Sequence, residues 1–198
     1  LKFNLFDIPR AVDLKDREEL NKIIGDLVIP KIKILLTGKG RVGSGAKEVL
    51  DFMKIKEVSV KDFLEKKYNY PVYTNIDVLD YNHSDKTENT IENFYKNPDL
   101  FSSTFSKFNF VTDIFFAGHY HNPKAPKLIS NSDITNKDFN IKLIADISCD
   151  IDGPIASTIR PSTIEKPLYG FHKINLDECD LMDNDALVVM AVDNPVSY

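Results

Sequence analysis

Residues 38–43 read G-K-G-R-V-G, a complete G-x-G-x-x-G, with Gly45 two positions further on. A loop of this type can hold phosphate. Gly38 would take the dihedrals of a tight turn, and Gly40 would let main chain approach a pyrophosphate. Gly43 would let a following helix pack closely on the strand before it. The start of that helix offers N–H groups without partners and a partial positive charge, which suits a diphosphate. Asp62 stands nineteen residues past Gly43. At the end of a second strand it could accept both ribose hydroxyls of an adenosine, which favours NAD over NADP. The plain alternative is a loop that caps a helix and binds nothing. A strand before, a helix after and an acid at a suitable distance favour the dinucleotide.

Other residues could carry chemistry further along. H-Y-H at 119–121 offers two imidazoles, with Cys149, Asp150 or Cys179 as further zinc ligands. A zinc site needs three or four converging ligands, and after Gly118 the segment reads as a loop. His119 and Tyr120 are better placed as lining of a nucleotide pocket, so no metal is expected. D-I-D-G at 150–153 lacks the alternating oxygens and distal glutamate of a calcium loop, and Pro154 follows at once, so a turn is expected. Cys149 as a nucleophile would need a base such as His119; a small, partly buried thiol is the simpler reading. Asp193 ends an apolar run and either caps the next element or stands near the reacting end of a bound cofactor.

These residues need elements to position them. Residues 32–37 (I-K-I-L-L-T) form a short apolar strand, and Ser44 to Met53 continues as a helix with Ala46, Val49, Leu50 and Met53 at helical spacing. Residues 57–62 (E-V-S-V-K-D) alternate like a second strand. Before this unit, Asp13 can cap a helix from Leu14, with Leu20, Ile23, Ile24 and Leu27 as its apolar stripe. Residues 1–30 are therefore read as a linker helix, with the charges at 15–19 on its solvated face. Residues 63–110 mix aromatics with polar residues and read as an insertion, with short helices at Thr90–Tyr95 and Ser102–Phe108. So many aromatics imply that it packs against something. Apolar strands return at 113–118, 141–146 and 186–192. Four strands thus end in polar loops on one rim, which places His119, Tyr120 and His121 near a bound nucleotide. The fold expected is α/β: a Rossmann-type, doubly wound parallel sheet with helices on both faces, spanning 31–198.

Composition narrows the function. A net charge of −5 with no basic stripe argues against nucleic acid as the main partner. No apolar run approaches membrane-spanning length, and two cysteines suggest no disulfide framework, so the cytoplasm is expected. The chain begins with Leu1 rather than methionine and stops five residues after Asp193. Both ends are expected to continue in a longer polypeptide.

The chain resembles the nucleotide-binding domain of the alanine dehydrogenase and saccharopine dehydrogenase group, nearest to the lysine-forming saccharopine dehydrogenases. The likeness is carried by G-K-G-R-V-G-S-G-A at 38–46 and by T-D-I-F-F-A-G ahead of N-P-K-A-P at 122–126. A-D-I-S-C-D at 145–150, the P-L-Y-G turn at 167–170 and M-A-V-D-N-P at 190–195 complete it. The resemblance implies an NAD-dependent amino-acid oxidoreductase acting on CH–NH groups, which passes a hydride between nicotinamide and an amino-acid α-carbon. It implies that Gly38, Gly40, Arg41, Val42 and Gly43 hold the pyrophosphate and Asp62 the adenosine ribose. The loop of Gly118, His119 and Tyr120 would run along the cofactor, and Asp193 would lie near the nicotinamide. In that group the catalytic lysine and histidine belong to an N-terminal domain, absent here, through which the amino or keto acid substrate would bind. No catalytic acid or base is therefore assigned, and this piece alone is expected to bind cofactor without turnover. A homodimer would be unsurprising. The alternative from another class is a non-catalytic, nucleotide-binding regulatory module; a zinc hydrolase built on H-Y-H is a remote third.

Overall fold

The computed structural model describes residues 9–10 and 13–193. In chain order the elements are α1 (Arg17–Gly25), β1 (Lys33–Thr37), α2 (Arg41–Phe52), β2 (Lys56–Glu57), α3 (Val60–Glu65) and β3 (Val72–Ile76). Then come α4 (Val78–Tyr81), β4 (Asn82–His83), α5 (Ile91–Lys96), β5 (Ser102–Ser103), α6 (Ser106–Asn109) and β6 (Ile114–Ala117). The last are α7 (Asn131–Ile134), β7 (Leu143–Asp146), β8 (Leu168–His172), β9 (Glu178–Cys179) and β10 (Ala186–Met190). Eight strands form one mixed sheet in the order β2-β3-β1-β6-β7-β10-β8-β9. From β2 to β10 all neighbours run parallel; β8 and β9 close one edge antiparallel. The α/β, Rossmann-like architecture expected from the sequence is present.

The central strands are buried on both sides, as parallel interior strands must be. In β1, Ile34 and Leu36 face Leu50 of α2, Ile55 and Tyr73, whereas Leu35 joins the opposite cluster with Phe63, Phe105 and Phe115. This two-residue alternation gives the sheet an apolar layer on each face. Helix α1 packs on α2 through Arg17 and Glu48, 2.7 Å apart, and through Lys54, which donates to the Gly25 carbonyl at 3.0 Å. Its N-cap is Asp16 rather than Asp13, and it begins at Arg17, three residues later than the spacing suggested.

Four expectations need correction. The alternation at 57–62 is not one strand. Only Lys56–Glu57 pairs, and Ser59 then starts α3, its side chain accepting from the Asp62 N–H at 3.1 Å. Val60, Phe63 and Leu64 share one side of that helix, with Phe63 buried. Of the apolar residues in the strand reading, α3 keeps Val60 on its packed side and adds Phe63 and Leu64, whereas Val58 precedes the helix. The insertion is also shorter than 63–110, because Val72–Ile76 is a core strand lying between β2 and β1. What remains, from Asp77 to Phe110, is folded onto the core. Tyr81, Phe94, Phe101, Phe105 and Phe108 are buried, and the Phe105 ring lies 5.2 Å from Phe115 and 5.7 Å from Tyr81. The expected helix at Thr90–Tyr95 is α5, with Thr90 as its cap. That at Ser102–Phe108 is a short strand followed by α6. P-L-Y-G at 167–170 is likewise not a turn, since Leu168–Gly170 belongs to β8. Asn194 and Pro195 lie outside the described residues. Among the described residues no helix is long and apolar enough to cross a membrane.

The Tyr73 hydroxyl ties the glycine-loop helix to the sheet. It accepts from Lys47 at 2.6 Å and donates to Asp51 at 2.7 Å, both on α2, while its ring is buried. Burial is the main reason that its pKa is pushed up to about 12. Removing only the hydroxyl, Tyr73→Phe, should cost about 1–2 kcal/mol, because two charged partners lose it. Thermal unfolding of the variant should fall by about 2–6 °C; an unchanged midpoint would mean that the triad contributes nothing.

Candidate functional site

The carboxyl ends of β1, β3, β6 and β7 open into one crevice, a cavity of about 460 Å³. Its floor is the glycine loop. Gly38 has φ +93, and a Cβ there would lie 2.5 Å from the Gly118 carbonyl oxygen. A Cβ on Gly43 would lie 1.9 Å from the Gly38 oxygen, so helix and turn touch backbone to backbone. Gly40 differs: a Cβ there would meet nothing within 4 Å. The missing side chain at 40 leaves open space on the crevice side.

Helix α2 begins at that space. Its N-cap is Gly40, no side chain caps it, and no acid occupies its first turn. Helix α1, by contrast, is capped by Asp16. The leading N–H groups of α2 thus begin at the crevice with no side-chain cap and no nearby acid of their own turn, and Lys39 and Arg41 are among the residues that line it. A helix start of this kind is chemically suited to an anion. Val42 lines the same wall, and Gly118 passes close above it.

The acid beside this loop is Asp77, not Asp62. Thr37 pairs with Ile76, and the Gly38 N–H donates to the Ile76 carbonyl at 3.1 Å. Asp77 therefore emerges next to the loop and lines the crevice. One carboxylate oxygen accepts from the Val78 N–H at 2.7 Å, within a capping box shared with Asp80. A carboxylate has about four acceptor positions, so some remain for a ligand hydroxyl. Asp62 sits in the first turn of α3, pairs with Lys66 at 3.0 Å and lines a separate hollow with Glu57 and Tyr68. The physical reason is the strand order: β3 lies between β2 and β1 and takes the place that sequence spacing gave to 57–62. The V-Y-T-N-I-D run at 72–77 was the available signal, masked by its polar interior residues. Tyr81 and Tyr95 also line this end of the crevice and were not foreseen there.

The H-Y-H segment lies over the loop. His119 is buried; its Nδ1 lies 2.7 Å from Thr37 Oγ1, while Nε2 is buried without a partner. Burial, then the neighbouring His121, lowers its pKa to about 4, so the ring is neutral at pH 7. Tyr120 projects outward from the same rim, 72% exposed. His121 is lowered by burial against the raising effect of Asp150, and Asp150 is raised by burial and by Asp146. Asp146 itself is fully buried and accepts from Ser148 Oγ (2.6 Å), the Cys149 N–H (3.1 Å) and Thr158 Oγ1 (2.6 Å). These bonds fix the 147–150 loop on the crevice wall.

Cys149 is ill suited to attack. Its thiol donates to the Ala191 carbonyl, and burial with the charges of Asp146, Asp193 and Asp150 raises its pKa, which disfavours the thiolate. D-I-D-G forms a turn closed by the Gly153 N–H on the Asp150 carbonyl at 2.9 Å. Asp193 is exposed and lies outside the crevice lining; its backbone N–H bonds to Ser162. One trio went unread in the sequence. His172, Asp183 and Asp185, at the opposite end of the sheet, offer ligand atoms within 4.8 Å of one another. His172 Nδ1, however, accepts from the N–H groups of Ile174 and Asn175, at 3.2 and 3.1 Å. That leaves the ring proton on Nε2, the nitrogen facing Asp183 at 3.9 Å, and a protonated nitrogen does not ligate a metal.

No protein-family model matches the chain. It is similar to a curated protein of Arabidopsis thaliana, alpha-aminoadipic semialdehyde synthase, at 29% identity over 189 residues. The match covers 84% of this chain but only 18% of the relative's length.

Two predictions follow from the geometry. Gly40→Ala has room for its methyl and an extended backbone, so it should fold with unchanged thermal stability yet bind a diphosphate ligand at least about tenfold more weakly. Calorimetry with ADP-ribose checks this, and equal affinities would remove Gly40 from the site. The second concerns acid. Because the folded pKa of His119 lies below its unfolded value near 6.5, only the unfolded state takes up its proton between those values. Stability is then intact above about pH 6.5 and is lost as pH falls toward 4. Between pH 7 and 5 this loss is about 2 kcal/mol, and denaturant titration of His119→Asn should show that much less acid sensitivity than the parent. Parallel pH profiles for the two proteins would refute it.

Proposed function

We propose that this chain is the dinucleotide-binding part of an amino-acid oxidoreductase of the saccharopine and alanine dehydrogenase type, with NAD as its cofactor. The observation that carries this reading is the uncapped start of α2 at Gly40, open to the crevice with Asp77 alongside. The residues present fit the cofactor. The α2 N–H groups, with Lys39 and Arg41, would hold the pyrophosphate. Asp77 would accept the adenosine ribose hydroxyls, and its negative charge would oppose a 2′-phosphate, which favours NAD over NADP. His119, whose buried Nε2 has no partner, lies against the crevice and would back the bound cofactor.

The loop 147–150, with His121 across from it, would border the nicotinamide half and keep it against the β7 end of the sheet. Nicotinamide, when bound, supplies the hydride acceptor for a CH–NH carbon. The chain's own residues bind, orient and limit water access; proton transfer to the amino acid is assigned to none of them. The likeness to alpha-aminoadipic semialdehyde synthase supports a role in amino-acid metabolism. The full activity, with its amino or keto acid partner, would belong to a longer protein.

Titration of the purified chain with NADH and NADPH tests the reading. NADH should bind, NADPH more weakly; Asp77→Ala should weaken NADH by about tenfold or more, whereas Asp62→Ala should leave it unchanged. Absence of binding to either coenzyme at millimolar concentration would sink the assignment.

A further inference from the structure

Tyr95 reaches the crevice from α5, within the segment inserted between β3 and β6. Helix α5 is capped by Thr90, whose side chain accepts from the Asn93 N–H at 3.2 Å. It is anchored by buried Phe94, whose ring meets Phe101 edge-on at 5.2 Å. With Phe94 turned into the core, the next residue is carried around the helix to the crevice side, where Tyr95 joins Asp77, Val78 and Tyr81 in the lining. Tyr95 is 48% exposed, its ring held edge-on to Phe94 at 5.7 Å. Burial and then the charge of Asp77 raise the phenol pKa, so the hydroxyl stays protonated beside that carboxylate. A half-exposed aromatic, rigidly backed and adjoining a ribose-type acid, is suited to meet a planar base. Base–aromatic stacking accepts any base and, at about 1–3 kcal/mol, is strong enough to govern affinity.

We propose that Tyr95 is the platform on which the crevice receives the adenine base of the dinucleotide, making the inserted segment the part that favours ligands bearing an aromatic base. This rests on the dinucleotide reading above, because Asp77 is what directs the base toward α5. The core strands alone would supply pyrophosphate and ribose contacts common to many nucleotides. Tyr95 adds a contact that a ligand without an aromatic base cannot use.

The chain contains no tryptophan, so Tyr95→Trp places a single indole at the site. Calorimetry with ADP-ribose on the parent chain comes first. Tyr95→Ala should then bind ADP-ribose about tenfold or more weakly with an unchanged circular dichroism melt. Tyr95→Phe should stay within about threefold of the parent, since the ring is kept. In Tyr95→Trp, ADP-ribose should quench indole emission with a midpoint equal to the calorimetric Kd. If the parent binds ADP-ribose while Tyr95→Ala binds equally well and the indole is silent, the platform is overturned and the dinucleotide reading survives. If the parent itself fails to bind, both fall together.

Discussion

The molecule is organised by the contact of three backbone segments with no side chain between them. Gly43 touches Gly38, and Gly38 touches Gly118, at distances that no Cβ would tolerate. This contact sets where α2 begins, and therefore where its unpaired N–H groups face. It also fixes the neighbours. Gly38 donates to Ile76 on one side, and the Gly118 N–H donates to the Thr37 carbonyl on the other, at 3.2 Å. The end of β1 is thereby stitched to β3 and β6 at once. Asp77 and His119, the next residues outward, have their positions decided by main chain rather than by side-chain packing.

Polar bonds complete what the backbone begins. Thr37 occupies His119 Nδ1, which holds the ring in one orientation and leaves Nε2 as the nitrogen without a partner. Asp146 collects three donors and turns the 147–150 loop onto the crevice wall. A buried carboxylate with fewer partners would be costly, so the loop and the acid depend on each other. The inserted segment is held differently, by aromatic packing of Tyr81, Phe105 and Phe108 against the sheet. The crevice thus has one wall set by hydrogen bonds and another by apolar burial.

The first strand, glycine loop and following helix were legible because each residue there has a local reason for its type. So were the strands at 114–117, 143–146 and 186–190, short apolar runs bounded by polar residues. The second parallel strand was not legible. Its expected acid was sought at a customary spacing, and E-V-S-V-K-D satisfies an alternating pattern as well as a helical one. The discriminating sign was Ser59 followed three residues later by Asp62, a helix-start signature. The same spacing recurs at Asp77–Asp80 and Ser130–Asp133, where complete capping boxes form. Tyr95 and Asp77 meet only through a tertiary arrangement of the insertion, which no local pattern encodes.

Charge is distributed in the crevice differently from the chain as a whole. Its net charge is −5, yet the start of α2 has no acid in its first turn and two cations at its edge. The acids of the crevice are displaced to its ends: Asp77 toward α5, Asp150 toward the 147–150 loop. Two unit charges about 6 Å apart interact by roughly 3 kcal/mol at an effective dielectric near 20. Displacement by even a few ångströms therefore decides which part of a ligand carries its negative charge. A molecule with a dianionic centre and neutral, hydroxyl-bearing ends matches this sequence of charges along the crevice. On the dinucleotide reading, one with a further phosphate beside Asp77 would meet repulsion there, because no cation among the described crevice residues lies next to Asp77 in the sequence or pairs with it.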